Sequence, residues 1–124
     1  MEKRFVYADN AATTAPLPEV IEEMMPYLKE KWGNPSSIHS KGNEAKKALN
    51  AYREKIALLL DCEKDEIYFT SCGTEADNHA IRGAALANAS KGKHIITTKV
   101  EHPAVLKTCR SLEKEGFEVT YLDV

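Results

Sequence analysis

Lys93-His94-Ile95-Ile96-Thr97-Thr98, Pro103-Ala104-Val105-Leu106-Lys107-Thr108-Cys109-Arg110-Ser111-Leu112 and Gly116-Phe117-Glu118-Val119-Thr120-Tyr121-Leu122 decide the fold. The first and last runs are rich in β-branched and aromatic residues bounded by turn signals, and read as strands over 94–98 and 117–122. Between them, proline at a first helical position opens a helix. Val105, Leu106, Cys109 and Leu112 fall on one face of it, and Gly116 ends it. Strand, helix and strand with short connections predict parallel strands joined by a right-handed crossover, hence an α/β protein.

Upstream, the same alternation continues. A helix is expected near 74–89, carrying Ala76, Ala80, Ile81 and Ala84. Before it, Glu66-Ile67-Tyr68-Phe69-Thr70-Ser71 reads as a further strand, entered from the charged turn Glu63-Lys64-Asp65. Two helices precede this alternation. Leu17, Val20, Ile21, Met24, Leu28 and Trp32 recur at three- and four-residue steps and predict an amphipathic helix near 18–31. Pro26 inside it should cause a kink. Gly33-Asn34-Pro35-Ser36-Ser37 is turn chemistry, and Ser40 is a candidate cap. Ala45, Ala48, Leu49, Tyr52, Ile56, Leu59 and Leu60 line one face of a longer helix near 43–60. A sheet of three parallel strands with two crossovers is small, and such sheets need both faces covered. The C-terminus at Val124 is therefore expected to cut through a larger domain.

Composition narrows the function. In 124 residues, 17 Lys and Arg stand against 19 Asp and Glu, a net charge of −2, without the basic excess of a nucleic-acid binder. The longest aliphatic run, Ile56-Ala57-Leu58-Leu59-Leu60, is far short of the roughly 20 residues that span a bilayer. The start, Met1-Glu2-Lys3-Arg4-Phe5-Val6-Tyr7-Ala8-Asp9-Asn10, turns polar too soon for a signal peptide. A soluble, cytoplasmic setting is expected, without membrane or nucleic-acid partners. The sequon Asn88-Ala89-Ser90 is then an ordinary surface tripeptide. Cys62, Cys72 and Cys109 are odd in number and widely spaced, which points to free thiols. No histidines or cysteines stand at metal-ligand spacing.

Two segments could carry chemistry. In Thr70-Ser71-Cys72-Gly73-Thr74-Glu75-Ala76-Asp77-Asn78 a strand ends and a helix begins. Free amides and the helix dipole make such a junction an anion site. Gly73 would let the backbone approach a ligand, and Thr74 could donate a hydroxyl to a phosphate oxygen. The same residues also suit an ordinary helix start, with Thr74 as a cap and Glu75 complementing the dipole. In Thr97-Thr98-Lys99-Val100-Glu101-His102-Pro103, His102 stands beyond the carboxyl end of a strand, where open α/β sheets bind ligands. It could stack on a flat cofactor, shuttle a proton, or simply cap the helix it precedes. Its place on the same sheet edge as the 72–74 turn favours a site. Asp9-Asn10-Ala11-Ala12-Thr13-Thr14 reads as a plain loop, His39 as solvated, and His79 as a structural residue on a helix surface. Cys72 reads as a small buried thiol.

Taken together, five segments resemble the start of a NifS/IscS-type cysteine desulfurase, in the class V aminotransferase-like group of pyridoxal-phosphate enzymes. They are Tyr7-Ala8-Asp9-Asn10-Ala11-Ala12-Thr13-Thr14, Gly33-Asn34-Pro35-Ser36-Ser37-Ile38-His39, Phe69-Thr70-Ser71-Cys72-Gly73-Thr74-Glu75-Ala76-Asp77-Asn78, Gly92-Lys93-His94-Ile95-Ile96-Thr97 and Glu101-His102-Pro103-Ala104-Val105-Leu106. They follow the family's order and spacing across essentially the whole chain.

The resemblance implies an incomplete large domain of a pyridoxal-phosphate fold type I enzyme. Residues 1–15 would associate with the small domain and the active site, and 16–124 would form the first part of the large cofactor-binding domain. By resemblance, Gly73 and Thr74 match positions that hold the phosphate of pyridoxal 5'-phosphate. His102 matches the histidine stacked on the pyridine ring, a catalytic candidate. Asn10 and Asn34 match segments near the active site on the substrate side, the second also near the dimer interface. The strands matching 94–98 and 117–122 pair with each other, while that matching 66–71 lies at the opposite edge.

The implied reaction converts L-cysteine to L-alanine and leaves a persulfide on the enzyme for iron–sulfur cluster assembly or other sulfur pathways. A sulfur-acceptor or scaffold protein and a homodimer of the full-length chain are the implied partners. The Schiff-base lysine and the persulfide cysteine of the family lie beyond residue 124. Ser37-Ile38-His39-Ser40-Lys41 has one residue too many for the family's Ser-x-His-Lys motif and lies in the wrong part of the order. Lys41 is therefore rejected as the Schiff-base residue, and Lys99 has no motif support. A selenocysteine lyase, or a non-catalytic dimerisation or partner-binding half-domain, are the alternative readings.

Overall fold

The computed structural model describes residues 4–124; Met1, Glu2 and Lys3, the first three residues of the expected N-terminal segment, lie outside the described residues. The chain forms two compact units, the first reaching to Ile67 and the second running from Tyr68 to Val124.

The first unit is helical. Helix α1, Pro18–Lys29, has Pro18 at a position that needs no amide donor, and it runs through Pro26. The Pro26 carbonyl closes the helix by accepting from the amides of Glu30 and Lys31 at 2.9 and 2.8 Å. Helix α2, Ser40–Leu60, begins three residues earlier than its apolar periodicity suggests. Its cap is His39 rather than Ser40: the imidazole Nδ1 accepts from the Gly42 amide at 3.4 Å. His39 is exposed, as its reading as a solvated residue expects, and its ring also caps the helix.

The turn before α2 is packed directly against the helix start. A Cβ on Gly42 would clash with the Ser37 carbonyl oxygen, so only glycine fits. Asn34 shapes that turn, its Oδ1 accepting from the Ser36 amide at 2.9 Å and its carbonyl from the Ser37 amide at 3.0 Å. Tyr27 and Tyr52 meet edge to face at 6.0 Å, and the Tyr52 hydroxyl donates to Glu23 at 3.4 Å. Beside them a groove of about 450 Å³ is lined by Val20, Met24, Leu28 and Tyr52.

The expected apolar face of α2 is only partly buried. Ala45, Ala48, Leu49 and Ile56 are half-buried, whereas Tyr52, Leu59 and Leu60 are exposed. After α2 the chain turns through Asp61, left-handed at φ 53°, into a short 3-10 turn, Lys64–Glu66.

The second unit holds the sheet. Helix α3, Gly73–Ala87, precedes strand β1, His94–Thr98; helix α4, Pro103–Lys114, crosses to strand β2, Glu118–Leu122. The strands are parallel, with Ile95 opposite Val119 and Thr97 opposite Tyr121. The pairing expected between 94–98 and 117–122 is therefore present.

The core gathers under α4: Leu112 and Cys109 are 0% and 1% exposed, with Ala104, Thr108 and Phe117 around them. Thr108 satisfies its hydroxyl by donating to the Ala104 carbonyl at 2.7 Å. Gly116, at φ +89°, makes the left-handed turn that ends α4 and returns the chain to the sheet.

The third strand, expected over 66–71, is not formed. Glu66 closes the 3-10 turn, and residues 67–70 pair with no strand among the described residues. β-Branched and aromatic composition marks a segment able to join a sheet, but a strand exists only where a neighbour accepts its hydrogen bonds. The architecture is α/β, with four α-helices and a two-stranded parallel sheet among the described residues.

Candidate functional site

Helix α3 leads into β1, and α4 connects β1 to its parallel partner β2. They therefore run in the same sense, opposite to the parallel strands. Their C-terminal ends are tied: the Arg82 guanidinium donates to both carboxylate oxygens of Glu115 at 2.7 and 3.0 Å and to Ser111 Oγ at 3.4 Å. Their N-termini accordingly share the end of the unit where β1 and β2 finish. Gly73 and Thr74 start one helix, and His102 caps the other.

The α3 start is open. Gly73 and Thr74 are exposed, and a Cβ added to Gly73 would meet nothing within 4 Å. Gly73 has no positive φ and no close neighbour. Nothing inside the protein requires glycine there, although glycine in a helix costs about 0.5–1 kcal/mol relative to alanine. The empty space in front of it is where a ligand's phosphate could approach the backbone.

The electrostatics agree. The Cys72 thiol is held below its ordinary value of 9.0, first by the Glu75 amide, then by the Ser71 hydroxyl and the Thr74 amide, against an opposing effect of burial. The side chain reports a local field that favours negative charge, as a helix N-terminus should. Cys72 is exposed, which corrects its reading as a buried thiol. Cys109, by contrast, is buried and its thiol is pushed up by that burial, and Cys62 is raised by desolvation and nearby carboxylates.

Glu75 makes a contact that motif spacing did not reveal. Its Oε2 accepts from the Ser71 amide at 2.7 Å and from Ser71 Oγ at 2.7 Å. These bonds hold its carboxyl below the usual range. A capping box places its acid three residues after the hydroxyl residue; here the spacing is four, so the pattern is silent.

His102 caps α4 through Nδ1, which accepts from the Ala104 amide at 3.1 Å. A neutral ring used in this way carries its proton on Nε2. Capping fixes the ring by one edge, and the residue remains exposed. Near it, Thr98 Oγ1 donates to Glu101 at 3.1 Å. Asn10 and Asn34 belong to the first unit, Asn10 in the turn closed by the Ala12 amide donating to the Asp9 carbonyl at 3.1 Å.

The two lysines set aside on sequence are engaged elsewhere. Lys99 pairs with Asp123 at 2.6 Å, and Lys41 donates to the Glu30 carbonyl at 3.1 Å. His79 lies on α3 against the Tyr68 ring at 5.3 Å. Among the described residues, no group of three or more His, Cys, Asp or Glu could hold a metal ion, and no helix is long and apolar enough to cross a membrane.

Known proteins share this sequence and geometry. A cysteine desulfurase IscS of Clostridium botulinum is 58% identical over 119 residues, covering 96% of this chain and 30% of its own length. A solved NifS-like protein superposes with a TM-score of 0.82 at 42% identity, over 91% of this chain and 31% of that one. A structure of SspA in complex with cysteine gives 0.79 at 40% identity, over 90% and 32%. The chain thus spans about a third of the length of the relatives it matches. The model of the aminotransferase class-V family matches residues 6–124, and the chain belongs to that family.

Proposed function

We propose that this chain is the N-terminal portion of a pyridoxal-phosphate-dependent cysteine desulfurase, which converts L-cysteine to L-alanine and passes the sulfur on as an enzyme persulfide. The observation that carries the reading is the open start of α3: an exposed Gly73 with free space where a side chain would stand, beside the hydroxyl of Thr74. The naming of the C. botulinum relative and the cysteine bound to SspA support it.

In this reading Gly73 and Thr74 bind the phosphate of pyridoxal 5'-phosphate, through the first amides of α3 and the Thr74 hydroxyl. His102 lays its ring against the pyridine and carries a proton on Nε2, while Nδ1 stays committed to the α4 amide. Asn10 and Asn34 stand on the substrate side. Bound pyridoxal phosphate supplies an electron sink, and the protein supplies orientation and charge. Residues 1–15 go with the small domain and the active site, and 16–124 begin the large domain. The whole enzyme is a cytoplasmic homodimer that hands sulfur to an acceptor or scaffold protein.

The test is a chimera in which residues 1–124 replace the corresponding third of the C. botulinum relative. It should retain pyridoxal phosphate and form alanine from cysteine, whereas the isolated 124-residue chain should form none. Thr74→Ala in the chimera should weaken cofactor retention by about 1.5–3 kcal/mol, the cost of losing one charge-assisted hydrogen bond. His102→Ala should lower turnover while cofactor content is kept. A folded chimera that holds the cofactor yet forms no alanine would overturn the function, and unchanged retention in Thr74→Ala would remove the phosphate role.

A further inference from the structure

The proposed phosphate site contains a group that its chemistry does not call for. Glu75 places a carboxylate in the first turn of α3, beside the position assigned to a phosphate. Coulomb repulsion between two anions so close together weakens binding unless something offsets it. The carboxylate is turned back along the chain, however. One oxygen, Oε2, receives both donors of Ser71, the amide and the hydroxyl, each at 2.7 Å. These two charge-assisted bonds close a loop around Cys72, Gly73 and Thr74. On either side the turn is pinned again, by Thr70 Oγ1 donating to the Cys72 carbonyl at 3.3 Å and Asn78 Nδ2 donating to the Thr74 carbonyl at 2.9 Å. Gly73 and Thr74 are left exposed at the crest.

We infer that Glu75 is a positioning residue for phosphate binding: through Ser71 it holds the 71–74 turn in the shape that presents the Gly73 backbone and the Thr74 hydroxyl together. This rests on the phosphate role proposed above for those two residues. Glu75 does not touch the ligand. Its contribution to binding comes from the shape of the turn and exceeds the repulsion its charge introduces.

The two effects have opposite signs, and substitution separates them. Glu75→Gln removes the charge but keeps an oxygen able to accept from both Ser71 donors. Glu75→Ala removes the charge and the clasp together. Pyridoxal phosphate, and inorganic phosphate in parallel, are titrated into the isotope-labelled, cofactor-free chimera while the Gly73 and Thr74 amide signals are followed. Thermal midpoints are measured on the same samples.

Glu75→Gln should bind as tightly as the parent or a few-fold more tightly. Glu75→Ala should bind roughly tenfold more weakly, as expected for loss of bonds to a charged group. Ser71→Ala, which keeps the amide bond, should fall between them and serves if Glu75→Ala does not fold. Tighter binding by both Glu75 variants would mean that repulsion dominates and would overturn the inference. A lowered midpoint in Glu75→Ala with unchanged affinity would reduce Glu75 to a helix cap, which overturns it equally. Parent amide signals that ignore both ligands would instead overturn the phosphate reading itself, and the positioning role with it.

Discussion

The two units bury their residues very differently. Helix α1 has no buried residue, and Leu28 and Trp32 stay mostly in contact with solvent. Helix α4, also 12 residues long, buries Ala104, Thr108, Cys109 and Leu112. Both helices have a clear apolar stripe and a proline at the start, so local sequence does not separate them. What separates them is a surface to pack on: α4 lies in the crossover between two paired strands, whereas α1 meets mainly the Tyr52 side of α2. Isolated helices this short are marginal in water, and tertiary burial supplies most of their stability.

The largest expected consequence is in amide hydrogen exchange. The amides of Cys109 and Leu112 should exchange orders of magnitude more slowly than those of Glu22 to Met25 in α1, because local opening of α1 breaks almost no burial. Leu112→Ala should cost about 2–5 kcal/mol in urea unfolding, as for a fully buried leucine, while Leu59→Ala, at 83% exposure, should change stability by less than about 0.5 kcal/mol. Equal protection in the two helices would show that the contrast in burial does not govern stability here.

Two glycines sharpen the same comparison. Alanine at Gly42 would press its Cβ against the Ser37 carbonyl, and either the turn or the helix start must move. A loss of about 1–3 kcal/mol is expected, measured by denaturant unfolding of the first unit. Alanine at Gly73 meets nothing. At the first helical position the propensity gain is smaller than in a helix interior, so alanine should leave α3 as stable or raise its stability by less than about 0.5 kcal/mol, while its methyl group obstructs the phosphate approach. A stabilised Gly73→Ala variant with unimpaired cofactor retention would leave this glycine without a ligand-based reason.

The three thiols differ in the same way. Cys72 is held down by the amides and hydroxyl around it, and Cys109 and Cys62 are pushed up, Cys109 by burial first. A depressed thiol ionises at lower pH. The alkylation rate of Cys72 should therefore reach its half-maximum below pH 9, and those of the other two above it. Peptide mass spectrometry after timed iodoacetamide exposure reads each site separately. Cys109 reacting at the Cys72 rate would mean that α4 opens as readily as an exposed helix.

Much of this was legible in the residues. Pro103 and Gly116 bracket α4, and the β-branched runs on either side are strands because each finds the other. The run at 66–71 has the same composition but joins no sheet among the described residues, which no local pattern could reveal. His102 illustrates a different limit: cap and cofactor platform are alternatives on sequence, yet one ring nitrogen caps while the residue as a whole stays exposed. The clasp of Ser71 by Glu75 was missed because its spacing exceeds the familiar box by one residue. Ser40 looked like the better cap for α2, but close packing at Gly42 brings the His39 ring to the helix amide instead.

The smallest effect concerns the link between α3 and α4. Arg82 donates to both carboxylate oxygens of Glu115 from one nitrogen, Nη2, and both side chains are a little more than one-third exposed. Water screens such a pair, so its loss in Arg82→Ala should cost only about 0.3–1 kcal/mol in the unfolding of the second unit. Lysine keeps the charge but offers a single nitrogen, whereas the guanidinium reaches Glu115 through Nη2 and Ser111 through Nη1, so lysine cannot hold both partners in the same geometry. Arg82→Lys should therefore recover part of the alanine loss but not all of it, and 1 M salt should shrink the difference between parent and Arg82→Ala. Full recovery by lysine would identify the contact as simple charge attraction. An alanine loss well above 1 kcal/mol that salt does not reduce would instead show that the packed stem of Arg82, rather than its charge, joins the two helices.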